Sequence, residues 1–159
     1  MIPADLKDIL GDTYNDYFFN NGSNYSKIRE SEGILIFNSF INRKGLINLQ
    51  KEAADLKYLS YKSSSEYNVY VSEYDNSFPD DSPRNRIMST SKKCVPNDLI
   101  PGDSILQTLY NSKAIRSFFM DLLNKKELFP YSDPLSSINI NYYDKGDASG
   151  GHFDNPDFT

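Results

Sequence analysis

His152 and Asp154 stand two residues apart in "GGHFDN", and the histidine is the only one in the 159-residue chain. On an extended segment, residues two apart point to the same side, so an imidazole nitrogen and a carboxylate oxygen would be offered together while Phe153 turns away. Imidazole plus carboxylate is a donor set for a borderline divalent metal ion. Gly146, Gly150 and Gly151 just before the pair allow a tight backbone turn and leave space above it. The pattern His-x-Asp also fits a surface histidine hydrogen-bonded to a neighbouring acid, so the elements that would position the pair have to carry the distinction.

The element directly upstream is "SSININYY", whose strict alternation predicts a strand with Ile138, Ile140 and Tyr142 on one face and Asn139, Asn141 and Tyr143 on the other. Before it, "GDSILQTLYNSKAIRSFFMDLLNKK" carries a wide apolar stripe behind an Asp103-Ser104 cap, which predicts a long helix with a break near Asn111-Ser112. A second helix is expected over "NRKGLINLQKEAADLK", where Leu46, Leu49, Ala53 and Leu56 recur three or four apart and Asn42 caps the start. The run "GILIF" at 33–37 reads as a strand, and so does the alternating Tyr67, Val69 and Val71. At the N-terminus, Leu6, Ile9, Leu10 and Tyr17 suggest a short helix, followed by the polar, turn-rich "NNGSNYSKIRESEG". Residues 76–102 hold Pro79, Pro83, Pro96 and Pro101 and the basic pairs Arg84/Arg86 and Lys92/Lys93, a pattern that predicts a long irregular loop with a solvated charged face or a lid over a site.

Composition narrows the function classes. The chain is 38% hydrophobic and 25% charged, within the range of a folded globular domain, and its length suits one domain over 1–159. A net charge of -5 with dispersed basic residues lacks the footprint of a nucleic-acid binder, so nucleic acid is not an expected partner. The Tyr-rich stretch 58–74 reads as sheet rather than as a base-stacking platform for the same reason. A single cysteine, Cys94, rules out an internal disulfide and points to a reducing compartment, the cytoplasm. No stretch is long and apolar enough for a membrane span, and "MIPADLKDILGD" lacks the basic start of a signal peptide.

The order strand, helix, Pro-rich loop, long helix and polar-faced strand, ending in Asn141-x-Tyr143-x-x-Gly146-Asp147 and then Gly150-x-His152-Phe153-Asp154, resembles the Fe(II)- and 2-oxoglutarate-dependent oxygenases. The likeness is in particular to the group with an N-x-Y-x-x-G-D signature before a G-x-H-F-D motif. "DSPRNR", "VPNDLIPGDSILQTLY" and "YSDPLSSININYYDKGD" add to the likeness, which runs from about Gly33 to Thr159 and leaves 1–32 as a variable leader.

The resemblance implies an α+β chain containing part of a double-stranded β-helix, a cupin-like jelly roll, with supporting N-terminal helices. It implies His152 and Asp154 as iron ligands, and Asn141 and Tyr143 as contacts for 2-oxoglutarate or substrate. For the latter two, hydrogen bonding within the sheet is the equal alternative. Fe(II), 2-oxoglutarate and O2 would serve oxidation of a C–H bond in a small molecule, such as an amino acid or a carrier-bound group. An aspartate at the second ligand position favours hydroxylation over halogenation.

The family's third ligand, a downstream histidine, and the arginine that follows it have no counterpart in this sequence, since His152 is the sole histidine. The expectation is therefore half of a site, with sheet edges unpaired at the C-terminal end. An incomplete copy of a longer enzyme fits this best. A shortened inactive relative, or a site completed by a second polypeptide or a missing C-terminal segment, are the other accounts. The alternative from a different class is a noncatalytic binding or interaction module.

Overall fold

A computed structural model describes residues 2–14 and 34–150. Tyr17, the polar segment at 20–33 and the His152/Asp154 pair lie outside the described residues. The chain combines α-helices with a small antiparallel sheet and divides into two compact units, Met1–Asp55 with Ile100–Ser132, and Leu56–Leu99 with Asp133–Thr159. No helix among the described residues is long and apolar enough to cross a membrane.

The first unit is built on helices. α1 (Arg43–Leu56) starts where expected: the Asn42 side chain accepts the Gly45 amide at 2.7 Å, satisfying one of the orphan N–H groups of the first turn. Its inward stripe begins one residue earlier than the leucine spacing suggests, because Gly45 is buried and Leu46 is half-exposed. The reason is a backbone crossing: a Cβ at Gly45 would stand 2.6 Å from the Ile9 carbonyl oxygen, so only glycine fits against that segment.

α2 (Ile105–Asn111) and α3 (Lys113–Leu123) meet at Ser112, which leaves the helix and caps α3 by accepting the Ile115 amide. Ser104 and the Glu52 carboxylate cap α2, the latter taking the Ile105 amide at 2.7 Å. Leu6, Ile9, Leu10, Tyr14, Phe118 and Leu122 form the core, and Phe118 touches the rings of Tyr14, Phe37, Phe40 and Phe119 at centroid distances of 5.1–5.7 Å.

The N-terminal segment buries Leu6, Ile9 and Leu10 as its spacing predicts, but as a 3-10 turn (Ala4–Leu6) and an isolated bridge from Leu10 to Ile41. The run at 34–37 is not a strand. Leu35 and Phe37 pack on the core while Ile34 and Ile36 face out, so the alternation is real, yet no ladder engages this backbone.

The second unit is a three-stranded antiparallel sheet in the order β1 (Tyr61–Tyr67), β2 (Met88–Pro96), β3 (Asn139–Tyr142). Two expectations are corrected here. The strand anticipated at Tyr67–Val71 ends at Tyr67, because the buried Asn68 takes the amides of Tyr70 and Ser72 on its Oδ1, both at 3.1 Å, and so withdraws them from any ladder. The irregular loop anticipated over 76–102 contains the central strand instead. Its prolines bracket β2 or close it: Pro83 precedes it and Pro96 is its last residue, so no ladder hydrogen bond inside it is lost. What remains irregular, residues 68–87, is ordered by Asn85, whose side chain donates to the carbonyls of Asp75 and Phe78 and accepts the Asp75 amide, all at 2.9 Å.

Candidate functional site

Strand register assigns the sheet's two faces. Directly opposed residues share a face, so Tyr61/Cys94/Asn141, Ser63/Lys92 and Ser65/Thr90 lie on one side. Val95, Ile140 and Lys93 lie on the other, where Val95 and Ile140 are buried. The first side carries an open cleft of about 570 Å³ lined by Ser63, Ser65, Tyr67, Thr90 and Lys92. Glu66, Val71 and Ser149 complete the lining.

Val71 has a φ of 51°, unusual for a β-branched residue, and its amide is held by the Asn68 carbonyl at 2.9 Å. The strain sits at the cleft margin and is maintained by the same asparagine that ends β1.

After β3 the chain bulges and then returns to β2. Ala148 and Ser91 exchange backbone hydrogen bonds at 2.8 and 3.2 Å, whereas the regular register would place a residue four positions earlier opposite Ser91. The intervening turn is the Gly146-Asp147 part of the sequence signature, and its composition follows from its shape. Gly146 adopts a φ of 95°, a conformation open to glycine. Asp147 closes the turn by accepting the Asp144 amide at 3.0 Å and the Ser91 hydroxyl at 2.7 Å. Asp144 receives Lys93 at 2.7 Å and Lys57 at 3.2 Å.

The bulge delivers Gly150 to the cleft, where a closed ring of hydrogen bonds fixes it. The Gly150 amide donates to Thr90 Oγ1 at 3.0 Å, the Thr90 hydroxyl donates to Tyr67 Oη at 2.9 Å, and Tyr67 donates to the Gly150 carbonyl at 3.3 Å. With both ends of the ring set by backbone groups of known polarity, the two hydroxyl protons have one consistent arrangement. A Cβ at Gly150 would lie 3.1–3.2 Å from Met88, Ser89 and Tyr67, a tight fit that those neighbours would have to yield a few tenths of an ångström to accept.

Both carboxylates of the bulge are held below the ordinary aspartate range. For Asp144 the cause is hydrogen bonding from Lys93 and Lys57 together with their charges, and for Asp147 it is the Ser91 hydroxyl and the Asp144 amide. A carboxyl whose folded pKa is depressed contributes stability above its unfolded pKa of about 3.9, and that contribution is lost as pH falls through the folded value. The bulge is therefore expected to hold through neutral and mildly acidic pH and to loosen below about pH 4. An NMR titration of the Ala148 and Gly150 amides should show a midpoint below that of a free aspartate, and Asp147→Asn should flatten the response. A midpoint at the free-aspartate value would refute the account.

Of the residues singled out in the sequence, Asn141 reaches the cleft side of the sheet and is exposed, but it does not line the cleft. Tyr143 follows β3 and is half-exposed outside it. Tyr67, Thr90 and Lys92 form the cleft and were missed, because their approach depends on strand register and no local motif marks them. Among the described residues no cluster of three or more histidines, cysteines or acids could hold a metal ion. No protein-family model, curated protein or solved structure matches this chain.

Proposed function

We propose that the chain belongs to an iron- and 2-oxoglutarate-dependent oxygenase acting on a C–H bond of a small molecule, with β1–β3 as part of a double-stranded β-helix. The observation that supports this most is the ring that seats Gly150 beside Thr90 and Tyr67 at the cleft, two residues before His152. Two residues of chain span about 7 Å at most, so a metal held by His152 would lie within reach of the cleft.

The donor chemistry fits both groups. An imidazole and a carboxylate suit a divalent iron, and a cleft lined by one lysine and several hydroxyls suits an oxo-acid. When bound, the iron and 2-oxoglutarate supply O2 activation and C–H oxidation. The chain's own part is positional. His152 and Asp154 would hold the metal, the Gly146-Asp147 bulge and the Thr90-Tyr67 ring fix where their segment departs, and the hydroxyl-lined wall orients the oxo-acid. The remaining metal donor would come from a C-terminal segment or a second polypeptide.

Anaerobic equilibrium dialysis of Fe(II) with 2-oxoglutarate present tests this reading. One iron per chain is expected, held weakly without the remaining donor, and with affinity reduced about tenfold further in His152→Ala and in Asp154→Ala, since each removes a ligand. Equal binding by wild type and both variants would sink the assignment. A noncatalytic binding module is a second reading, favoured by the single histidine in the sequence. Succinate release in the presence of O2, Fe(II) and 2-oxoglutarate separates the two, because the module would bind without turnover.

A further inference from the structure

Lysines near the sheet are used in two ways. Lys57 and Lys93 share the Asp144 carboxylate. Lys92, the next residue along β2, projects to the opposite face and lines the cleft, half-buried, with no hydrogen bond or salt bridge engaging its ammonium among the described residues. An ammonium half withdrawn from water with no ion pair engaging it among the described residues is an arrangement that a bound anion improves.

The surroundings favour an anion as well. Ser63 stands directly opposite Lys92 across the β1–β2 ladder and Ser65 is two residues on, and neither hydroxyl has a hydrogen-bond partner among the described residues. Thr90 and Tyr67, by contrast, spend their hydroxyl protons on the Gly150 ring. The groups left to meet a ligand are thus one cation and two rotatable hydroxyl donors, a set that matches the oxygens of a carboxylate. Glu66 is the one acidic residue of the lining, and it is exposed, on the strand position that alternates away from the Ser63/Ser65 face. One carboxylate beside one ammonium sets a limit on ligand charge, and favours a single anionic charge at Lys92.

We propose that Lys92, with Ser63 and Ser65, is a carboxylate-binding site, and that the ligand taken by this cleft is a small aliphatic carboxylate. The site shares the cleft with the oxygenase reading but does not need iron, so the two can fail separately. The carboxylate could belong to the oxo-acid cosubstrate or to the oxidised substrate, and the chemistry at Lys92 is the same.

The test is a calorimetric titration of the metal-free chain with glutarate, with neutral glutaramide as the comparison. Saturable glutarate binding is expected, with glutaramide at least tenfold weaker. Lys92→Met should weaken glutarate at least tenfold, Lys92→Arg should keep most of it, and Lys62→Met, which removes the same charge from the opposite face, should leave it unchanged. Thermal melting of each variant confirms that it is folded. Absence of saturable binding by the wild-type chain, or equal binding by folded Lys92→Met, would overturn the proposal. Repeating the titration with 2-oxoglutarate, with and without Fe(II), assigns the source. Iron-dependent tightening that displaces glutarate identifies the cosubstrate, and simultaneous binding of both identifies a separate substrate carboxylate.

Discussion

Replacing Phe118 with alanine is expected to cost the helical unit about 3–5 kcal/mol, the range for removing a fully buried aromatic ring from a core that cannot collapse around the gap. The ring is 1% exposed, and Tyr14, Phe37, Phe40 and Phe119 all contact it, so the lost contacts come from every direction. Its neighbour provides the control. Phe119 is 41% exposed, and Phe119→Ala should cost clearly less. Urea unfolding followed by tyrosine emission measures both, since the chain has no tryptophan to mask the signal and Tyr14 stacks on Phe118. A loss for Phe118→Ala no larger than for Phe119→Ala would contradict the assigned core.

The second large effect has the opposite sign from what helix propensity suggests. Alanine in place of glycine inside a helix ordinarily gains up to about 1 kcal/mol. At Gly45 the added Cβ would meet the Ile9 carbonyl oxygen at 2.6 Å and the Ile9 Cα at 2.7 Å, and both are backbone atoms that no rotamer change can move. Relieving such a clash by shifting main chain costs on the order of 1–3 kcal/mol or more, so steric cost outweighs propensity. Gly45→Ala should therefore unfold at lower urea than wild type. A rise in stability would show that α1 does not cross the Ile9 segment this closely.

The elements that were legible in the sequence are those decided locally. The Asn42 cap, the break at Ser112 and the alternation of β3 each depend on residues a few positions apart, and each stands where the spacing puts it. β1 was legible only as part of a Tyr-rich stretch read as sheet, with its end misplaced, and β2 was not legible, because pairing across twenty or more residues decides both. "YKSSSEY" and "MSTSKKCVP" are weak strand formers that gain their ladder from each other, while the stronger-looking Val69–Val71 is claimed by Asn68. The run at 34–37 shows the converse: good strand chemistry and correct alternation with no ladder engaging it.

The site divides along the same line. The Gly146-Asp147 spacing was visible as a signature, and the fold supplies its physical cause in the positive φ and the turn-closing carboxylate. Thr90, Tyr67 and Lys92 come from two strands whose register no short motif encodes, so their convergence on Gly150 and the cleft emerges only in three dimensions.

In the proposed oxygenase, a metal bound through His152 would sit beside the cleft where Thr90 and Tyr67 hold Gly150. Substoichiometric Mn(II), a paramagnetic stand-in for Fe(II), tests it directly through broadening of backbone amide signals in NMR spectra. Selective broadening is expected at Ser149, Gly150 and Thr90, abolished in His152→Ala. Broadening centred elsewhere, or unchanged by loss of the histidine, would contradict it.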